Sequence, residues 1–412
     1  MRRRLVVGAA STWAAGLPQG AAATFRAAQV EKATIFATSK GRKVRRIQRP
    51  FTLELGGTLP ELEIVYEEWG NAHNPVVLLF PSLSVGSHAR SSVDDPTAGW
   101  WEAMLGPSKG ISTEKFRVIC PAGLGSPFGS TSPLSINPAT GKAYNGTFPQ
   151  ITPRDMARAH MALLESLSVH KAHALVGASL GGCVALSFAS EYPDFVDNLC
   201  VISCTGKSTP GSVALRHIQR QAVLRDPNYC NGNYREQGVN PSNGMAVARQ
   251  LGMVTYRTRE EFNQRFSWDA AGPYHLGDAI NFEVESYLQN KAGSFVDNYD
   301  PNSYLLLSKC TDLMDLGRGH KNFSEGLLRI NSKVMIMGVD SDFLIPPSEQ
   351  QYMHHLLQAH GKDVRLRTCG SIYGHDAFLL DMGWFLPHIR DFLEHDHQRH
   401  HHHSHPAFVH PN

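Results

Sequence analysis

Short apolar runs alternate with amphipathic, helix-like stretches along most of the chain, and this alternation predicts a sheet covered by helices on both faces. The central runs are continuously apolar, which is typical of buried parallel strands. The predicted strands cover residues 63–67, 76–80, 116–120, 173–176, 199–203, 334–337 and 364–367. We therefore predict an α/β fold built on a mostly parallel, doubly wound sheet.

The strand pattern is interrupted between Ser203 and Lys333, where amphipathic helices replace it. The predicted helices there include residues 213–220, 246–251 and 304–314. A helical block of this length inserted into a sheet is typical of a lid over a binding site. The predicted organisation is an extension at 1–48, a core at 49–205 and 326–395, a helical lid insertion at 206–325 and a histidine-rich tail at 396–412.

A glycine-flanked serine carries the strongest chemical signal in the chain. Residues 177–181 have the sequence Gly-Ala-Ser-Leu-Gly, directly after the apolar run 174–176 and directly before the helix-like stretch 182–189. Strand, G-x-S-x-G and helix in this order predict a nucleophile elbow, in which a sharp turn projects the hydroxyl of Ser179. The backbone N–H of Leu180 is then expected to face a developing oxyanion.

A nucleophilic serine needs a base, and the base needs an orienting acid. Asp342 follows one late predicted strand and His375 follows the last one, so the order Ser, Asp, His matches the elbow-bearing α/β fold. Asp340 is the alternative acid, and either aspartate has a competing interpretation as the cap of the helix that starts near Pro346. Polar residues beyond the carboxyl ends of parallel strands are expected to share one site.

The second oxyanion donor is expected from the loop after an early strand. Residues 80–86 form that loop, and the N–H of Leu83 is the candidate. A plain strand-to-helix turn is the competing interpretation of the same residues.

Composition excludes several functional classes. The formal net charge of +2 over 412 residues does not indicate a nucleic-acid partner. Hydrophobic residues make up 42% of the chain, enough for a full core, but no apolar stretch reaches membrane-spanning length. The seven cysteines are scattered without a C-x-x-C pair, which favours reduced, mostly buried thiols over disulfides or a zinc site.

Both ends of the sequence have the composition of peripheral segments. The first 30 residues contain four arginines and no acid, which is typical of a mitochondrial transit peptide, and we predict mitochondrial import. The alternatives are a cytoplasmic protein with a disordered extension and a secretory signal, the latter because residues 5–10 are apolar. The histidines between His395 and His405 can chelate a metal adventitiously, but an expression tag or a low-complexity tail is the simpler interpretation.

Several longer stretches resemble the homoserine O-acetyltransferase family, whose members are acyltransferases with the α/β-hydrolase fold. The resemblance spans residues 50–395, and the stretches that carry it are 125–133, 135–138, 219–221, 282–288, 341–342 and 374–378. It implies an α/β-hydrolase fold with an inserted helical lid. It also implies a ping-pong reaction, in which Ser179 takes an acetyl or succinyl group from acyl-CoA and passes it to an amino-acid hydroxyl.

The resemblance further implies that acetyl-CoA or succinyl-CoA is a substrate, so that neither a metal nor a bound cofactor is required. Members of the family are often homodimers, which makes a homodimer the expected assembly. By position, Arg220 would bind the carboxylate of the acceptor and Asp376 its ammonium group, in keeping with guanidinium and carboxylate chemistry. The competing interpretation of Arg220 is a solvated helix charge, since Arg216 lies one turn before it.

Three segments resemble the branch of the family that acylates L-serine. They are residues 81–85, where homoserine-acylating members typically carry His-Ala-Leu-Thr-Gly, together with 99–102 and with 244–245 taken with 250–257. One methylene distinguishes the two acceptors, a discrimination of about 1–3 kcal/mol that a single loop can supply. We predict L-serine as the acceptor, with a product that feeds cysteine or methionine biosynthesis. L-Homoserine is the first alternative, and ester hydrolysis or a catalytically inactive binding module are more distant ones.

Overall fold

The computed structural model describes residues 40–269, 276–277 and 280–402, with side chains described up to residue 395. The predicted targeting segment at residues 1–30 and the last ten residues of the predicted histidine-rich tail lie outside the described residues. The first seven residues of that tail continue the helix Met382–His402.

The predicted parallel sheet is present, and it has eight strands in the spatial order β1-β4-β6-β5-β9-β10-β11-β12. Strands β1, β4 and β6 pair antiparallel, and from β6 to β12 every neighbouring pair is parallel. The sheet strands are β1 (Lys43–Ile47), β4 (Leu62–Trp69), β5 (Val76–Phe80), β6 (Arg117–Pro121), β9 (Ala172–Ala178), β10 (Val196–Ile202), β11 (Lys333–Val339) and β12 (Val364–Cys369). Two small hairpins lie apart from it, formed by β2 (Phe51–Thr52) with β3 (Thr58–Leu59) and by β7 (Ile136–Asn137) with β8 (Lys142–Ala143). The prediction of an α/β fold is confirmed.

Helices connect the parallel strands and fill the long interval between β10 and β11. The described helices are α1 (Pro153–Ser166), α2 (Leu180–Glu191), α3 (Pro210–Leu224), α4 (Tyr234–Gln237), α5 (Ser242–Tyr256), α6 (Arg259–Arg265), α7 (Glu283–Asn298), α8 (Pro301–Asp312), α9 (Phe323–Leu328), α10 (Pro347–Ala359), α11 (Ala377–Leu380) and α12 (Met382–His402). Between β10 and β11 the regular elements of the described residues are all helical, as the loss of the strand pattern predicts.

Two apolar layers enclose the sheet because alternate residues of each strand point to opposite faces. In β5, Leu78 and Phe80 pack into one layer with α1 and α2, whereas Val77 and Leu79 pack into the other with α12. Every residue of β5 is buried, which explains why the sequence shows a continuous apolar run there. The sheet is therefore a rigid platform whose strand ends carry the site.

The prediction of an extension up to residue 48 is wrong for residues 43–47, which form the edge strand β1. This strand has no apolar pattern, because most of its side chains are exposed and charged. It is held by backbone pairing to β4 and by ion pairs, among them Arg46 with Glu63 at 2.7 Å and Lys43 with Glu68 at 2.8 Å. Charged residues on an edge strand also discourage pairing with other chains.

Helix α8 lies within the segment predicted as the lid, yet it belongs to the core. Leu306, Leu307 and Cys310 are buried in the layer that covers the α1 face of the sheet, and the Cys310 sulfur lies 3.7 Å from the sulfur of Met156. The lid insertion predicted at residues 206–325 therefore includes a helix that packs as part of the core. Helix α5 packs against both α3 and α7, and a separate small apolar cluster forms there around Val223 and Met245.

None of the described helices combines the length and the apolar character that crossing a membrane requires. All seven cysteines are free, and six of them are buried, in keeping with the predicted thiols.

Candidate active site

Ser179 stands at the sharp turn between β9 and α2, where the sequence predicts the nucleophile elbow. Its φ of 55° and ψ of −123° are strained for a residue with a side chain. The turn is held on both sides, since the Ser179 N–H donates to the Ile202 carbonyl at 2.9 Å and the Ser179 carbonyl accepts from Cys183 at 3.1 Å. The surrounding sheet thus fixes a conformation that the serine would not adopt alone.

The two flanking glycines are required by close backbone approaches. A Cβ atom on Gly177 would lie 2.3 Å from the carbonyl oxygen of Gly181, and one on Gly181 would lie 2.3 Å from the carbonyl oxygen of Phe80. Such distances are too short for any side chain. The elbow therefore packs directly on the end of β5, from which the loop that carries Leu83 begins.

The structure brings Ser179, His375 and Asp342 into one hydrogen-bonded chain. The Nε2 atom of His375 lies 2.8 Å from Ser179 Oγ, and its Nδ1 atom lies 2.8 Å from Asp342 Oδ2. His375 and Asp342 are buried, whereas Ser179 is partly exposed. A base on one ring nitrogen and an acid on the other form the arrangement that activates a serine hydroxyl.

The acid in contact with the histidine is Asp342, and Asp340 lies elsewhere. The second carboxylate oxygen of Asp342 accepts the N–H of Ile345 at 2.9 Å, so the carboxylate is held at both oxygens. Asp340 instead accepts the N–H of Ser371 at 3.1 Å, across the neighbouring strand end. The capping interpretation is wrong for Asp342, because the N-cap of α10 is Pro346 without a side-chain cap and the Ile345 N–H lies before the helix.

The pKa of His375 depends on two opposing effects. Burial disfavours the charged imidazolium and by itself lowers the pKa, but the adjacent Asp342 carboxylate, with a further contribution from Asp376, outweighs burial. The pKa of His375 is consequently raised above its ordinary value of 6.5. The His375 imidazole is therefore mostly neutral, and able to accept a proton, only at pH values above this raised pKa.

We expect the rate of acylation to fall on the acid side of neutrality, because protonated His375 cannot accept the hydroxyl proton. Since the pKa in the folded protein is raised, the acid limb of kcat/KM for acyl-CoA should have its midpoint above pH 6.5. The measurement is the release of CoA from pH 5 to 9 at low acyl-CoA concentration. A midpoint below 6.5 would contradict the proposed balance between burial and Asp342.

The candidate oxyanion donors occupy the elbow and the neighbouring loop. Leu180 is buried and begins α2, directly after Ser179, while Leu83 follows β5. Two lid side chains hold the Leu83 loop: the Tyr299 hydroxyl donates to the Leu83 carbonyl at 2.6 Å, and Arg249 Nη1 donates to Ser84 Oγ at 3.0 Å. The role of the two N–H groups as an oxyanion hole stays a prediction.

Asp376 lies next to the catalytic histidine, as the sequence requires, and a basic group faces it from the lid. Burial raises the pKa of Asp376, and the positive charges of His375, Arg257 and Arg249 partly offset that rise. Arg257 Nε donates to Asp376 Oδ2 at 3.0 Å. Tyr256 stacks on the His375 ring with centroids 5.8 Å apart, and the guanidinium carbon of Arg249 lies 5.6 Å from the Tyr256 ring centroid.

Arg220 is not brought into this group. Its side chain is buried, with Nη2 at 2.6 Å from Asp312 Oδ2 and Nη1 donating to Ser308 at 3.0 Å. The interpretation as a solvated helix charge is wrong, and the expected carboxylate contact lacks support from these contacts. Arg216, one turn earlier, lines a small cavity together with Ser179. Sequence reasoning missed Arg249 as a candidate site residue. The one sequence feature that could have indicated it is its position directly before residues 250–257, which resemble the branch that acylates L-serine.

The comparison with known proteins identifies both the fold and its relatives. The sequence profile of the alpha/beta hydrolase fold matches residues 75–378. A serine O-succinyltransferase of Litchfieldella anticariensis is 42% identical, over 86% of this chain and 98% of the relative. A homoserine O-acetyltransferase of Symbiobacterium thermophilum is 39% identical, over 85% and 94% of the two chains. An L-serine/homoserine O-acetyltransferase of Streptomyces lavendulae is also 39% identical, over 83% and 94%.

Solved structures with the same architecture include a transferase and an esterase. The homoserine O-acetyltransferase of Bacillus anthracis superposes with a TM-score of 0.80 at 26% identity, covering 86% of this chain and 98% of that one. Esterase E22 superposes with a TM-score of 0.78 at 29% identity, covering 85% and 99%. One architecture thus holds both reaction types, so the choice between them has to come from the site.

Proposed function

Because the chain belongs to the serine and homoserine O-acyltransferases of the α/β-hydrolase fold, we propose that it transfers an acyl group from acyl-CoA to the side-chain hydroxyl of L-serine. The observation that carries this proposal is the hydrogen-bonded chain from Ser179 through His375 to Asp342, with Asp376 beside it. The hydroxyl of Ser179 is activated by His375, and the Asp376 carboxylate next to this base is suited to binding an ammonium group.

The first half of the proposed reaction forms an acyl-enzyme. His375 Nε2 takes the proton of Ser179 Oγ, and the oxygen attacks the thioester carbonyl of acyl-CoA. The N–H groups of Leu180 and Leu83 would receive the oxyanion of the tetrahedral intermediate. When the intermediate collapses, the carbon–sulfur bond breaks and the CoA sulfur takes the proton from His375. Asp342 keeps the imidazole oriented and stabilises its charged form.

The second half uses the same groups in the opposite direction. The acceptor hydroxyl gives its proton to His375 and attacks the acyl-enzyme, after which the proton returns to Ser179 Oγ as the ester of the amino acid leaves. We propose that Asp376 binds the ammonium group of the acceptor and that Arg249 binds its carboxylate. Arg249 replaces Arg220 in this role, because Arg220 is paired with Asp312 whereas Arg249 binds Ser84 in the loop beside the nucleophile and its charge acts on Asp376.

The preference for L-serine is supported by the loop that borders the site. Residues 81–85 differ from the homoserine-acylating pattern, and this loop is held by Arg249 through Ser84 and by the Trp100 indole N–H, which donates to the Gly86 carbonyl at 2.9 Å. Trp100 and the residues after Arg249 belong to the other two segments that resemble the L-serine branch. The three segments are therefore parts of one structural unit.

We expect L-serine to be acylated with a kcat/KM at least about 10-fold above that of L-homoserine, since one methylene in a fitted site changes the rate by roughly 10- to 200-fold. The measurement is free CoA together with O-acyl product, with acetyl-CoA and succinyl-CoA and with each amino acid in turn. Release of CoA without any O-acyl amino acid would make the protein a hydrolase. A preference for L-homoserine would overturn only the choice of acceptor.

A further inference from the structure

The short segment between α5 and α6 lies directly against the loop that precedes the catalytic histidine. This loop, residues 370–373, joins β12 to the turn that begins with Gly374 and has no regular secondary structure; we call it the histidine loop. The Thr258 hydroxyl donates a hydrogen bond to the Ile372 carbonyl. A Cβ atom on Gly374 would lie 3.1 Å from Thr258 Cγ2, so the lid also packs on the peptide directly before His375.

On its other side the histidine loop is held by a serine of the core. The Ser341 hydroxyl donates to the Ser371 carbonyl and accepts the N–H of Gly374 at 3.1 Å. Because Ser341 directly precedes Asp342, these contacts tie the loop to the segment that carries the acid. The carbonyl of Ile372, which lies between Ser371 and Gly374 in the chain, is held from the lid instead.

Helix capping alone does not account for the contacts of Thr258. Its hydroxyl oxygen accepts the N–H of Glu261 at 3.0 Å and so caps α6. A hydroxyl has one proton and two acceptor sites, so the cap leaves the proton free for another acceptor. That proton goes to the Ile372 carbonyl, 114 residues further along the chain. One hydroxyl therefore joins the start of a lid helix to the histidine loop.

The position of His375 is critical because its ring has to meet two partners at once. Nε2 lies 2.8 Å from Ser179 Oγ, and Nδ1 lies 2.8 Å from Asp342 Oδ2. A displacement of about 1 Å in such a constellation can lower a rate on the order of 100-fold. The lid also contacts the ring itself, since Tyr256 stacks on it with centroids 5.8 Å apart.

We propose that Thr258 is a positioning residue for His375, so that the lid helps to place the general base in both half-reactions. The inference rests on the proposed role of His375 as the base, and Thr258 acts through the histidine loop rather than by a contact with the substrate. Loss of its hydroxyl should therefore slow the acylation of Ser179, a step in which no amino acid takes part.

The test measures acylation of the wild-type protein, Thr258→Val and Thr258→Ser in the absence of an acceptor. The measurements are the burst of CoA from acetyl-CoA or succinyl-CoA and the burst of p-nitrophenol from p-nitrophenyl acetate. Valine has nearly the shape of threonine but no hydroxyl, so Thr258→Val should slow both bursts by about 10- to 100-fold. Thr258→Ser keeps the hydroxyl and should restore most of the rate.

A single turnover of the preformed acyl-enzyme with L-serine gives the second readout. In Thr258→Val the maximal rate should fall, because His375 also acts in this half-reaction. The L-serine concentration that gives half of the maximal rate should stay at the wild-type value, because the contacts to the acceptor are unchanged.

Two further variants separate this role from capping and from a general loss of stability. Asn322→Ala removes a cap of the same kind, since Asn322 Oδ1 accepts the N–H of Glu325 at 2.9 Å at the start of α9, and it should leave the bursts unchanged. Ser341→Ala combined with Thr258→Val should show a non-additive loss, because both hydroxyls hold the same loop. Thermal unfolding shows whether each variant is folded, and Thr258→Ala replaces Thr258→Val if the latter is not.

Four results would overturn the assignment of Thr258. Unchanged bursts with a raised half-saturating L-serine concentration would place it in the acceptor pocket. An equal loss in Thr258→Ser would assign the effect to packing of the methyl group, an equal loss in Asn322→Ala to helix capping, and a strictly additive double variant to separate sites. A burst from p-nitrophenyl acetate but from neither acyl-CoA refutes the proposed function alone. Absence of every burst in the wild type refutes the role of His375 as the base, and this inference with it.

Discussion

Replacing Ser179 with alanine is expected to lower kcat for acyl transfer by about 10⁴- to 10⁶-fold, because removal of a triad nucleophile ends the covalent pathway. The hydroxyl lies 2.8 Å from His375 Nε2, and the strained elbow serves to hold it there. The buried thiol of Cys183 nearby cannot take over, since burial raises its pKa to about 11 and keeps it protonated. The measurement is the CoA burst and the mass of the acyl-enzyme with a single equivalent of acyl-CoA.

Ser187→Ala is the matched control for that variant. Ser187 is a buried serine on α2, two turns after the elbow, and within the described residues its hydroxyl donates a weak hydrogen bond to the Met314 sulfur at 3.6 Å. Its loss should leave the burst intact. Full turnover in Ser179→Ala would exclude Ser179 as the acyl carrier and would redirect the search to another nucleophile.

Replacing Asp342 with asparagine is expected to lower kcat by about 10⁴-fold while leaving the fold intact, because an amide supports the wrong histidine tautomer. One carboxylate oxygen of Asp342 is hydrogen-bonded to Nδ1 of His375, and the other accepts the N–H of Ile345. An asparagine has only one such oxygen, so the substitution breaks one of these two hydrogen bonds. The measurement is steady-state CoA release together with its pH dependence. Loss of the Asp342 charge should also move the acid limb to lower pH, since that charge raises the pKa of His375.

Asp340→Asn is the control that the chain itself offers for this variant. Asp340 lies two positions earlier and accepts the N–H of Ser371, without contact to the catalytic histidine. It should retain most of its activity and an unshifted pH profile. If both variants lose activity to the same extent, the effect belongs to the folding of the loop and the assignment of Asp342 as the orienting acid is wrong.

The elbow could be predicted from sequence because its chemistry is local. A buried strand, a serine between two glycines and a helix occupy consecutive residues, and each glycine is demanded by the backbone next to it. Asp342 and His375 could be predicted as well, since both follow strands whose carboxyl ends meet at one edge of the sheet. The choice between Asp342 and Asp340 could only be made in three dimensions, because both follow the same strand.

The arginines show where a sequence argument ends. Arg216 and Arg220 are four residues apart on α3 and therefore lie on one helix face. Which of them lines the cavity and which is covered depends on how α3 packs against α8, whose Asp312 binds both. Arg249 comes from another helix, and its hydrogen bond to Ser84 in the Leu83 loop is a product of tertiary packing alone. Strand β1 was missed for a different reason, since an edge strand exposed to solvent needs no apolar pattern.

The hydrogen bond from Tyr299 to the Leu83 carbonyl has a consequence for the lifetime of the acyl-enzyme. Tyr299 follows α7, whereas the peptide it holds belongs to the loop with one of the two predicted oxyanion donors. Any displacement of the lid that admits bulk water therefore also releases the loop that would stabilise attack by that water. If the proposed acyl transfer and oxyanion donors are correct, we expect an opened enzyme to be a poor hydrolase, so that the acyl group stays on Ser179 until an amino acid arrives and the lid is again in place.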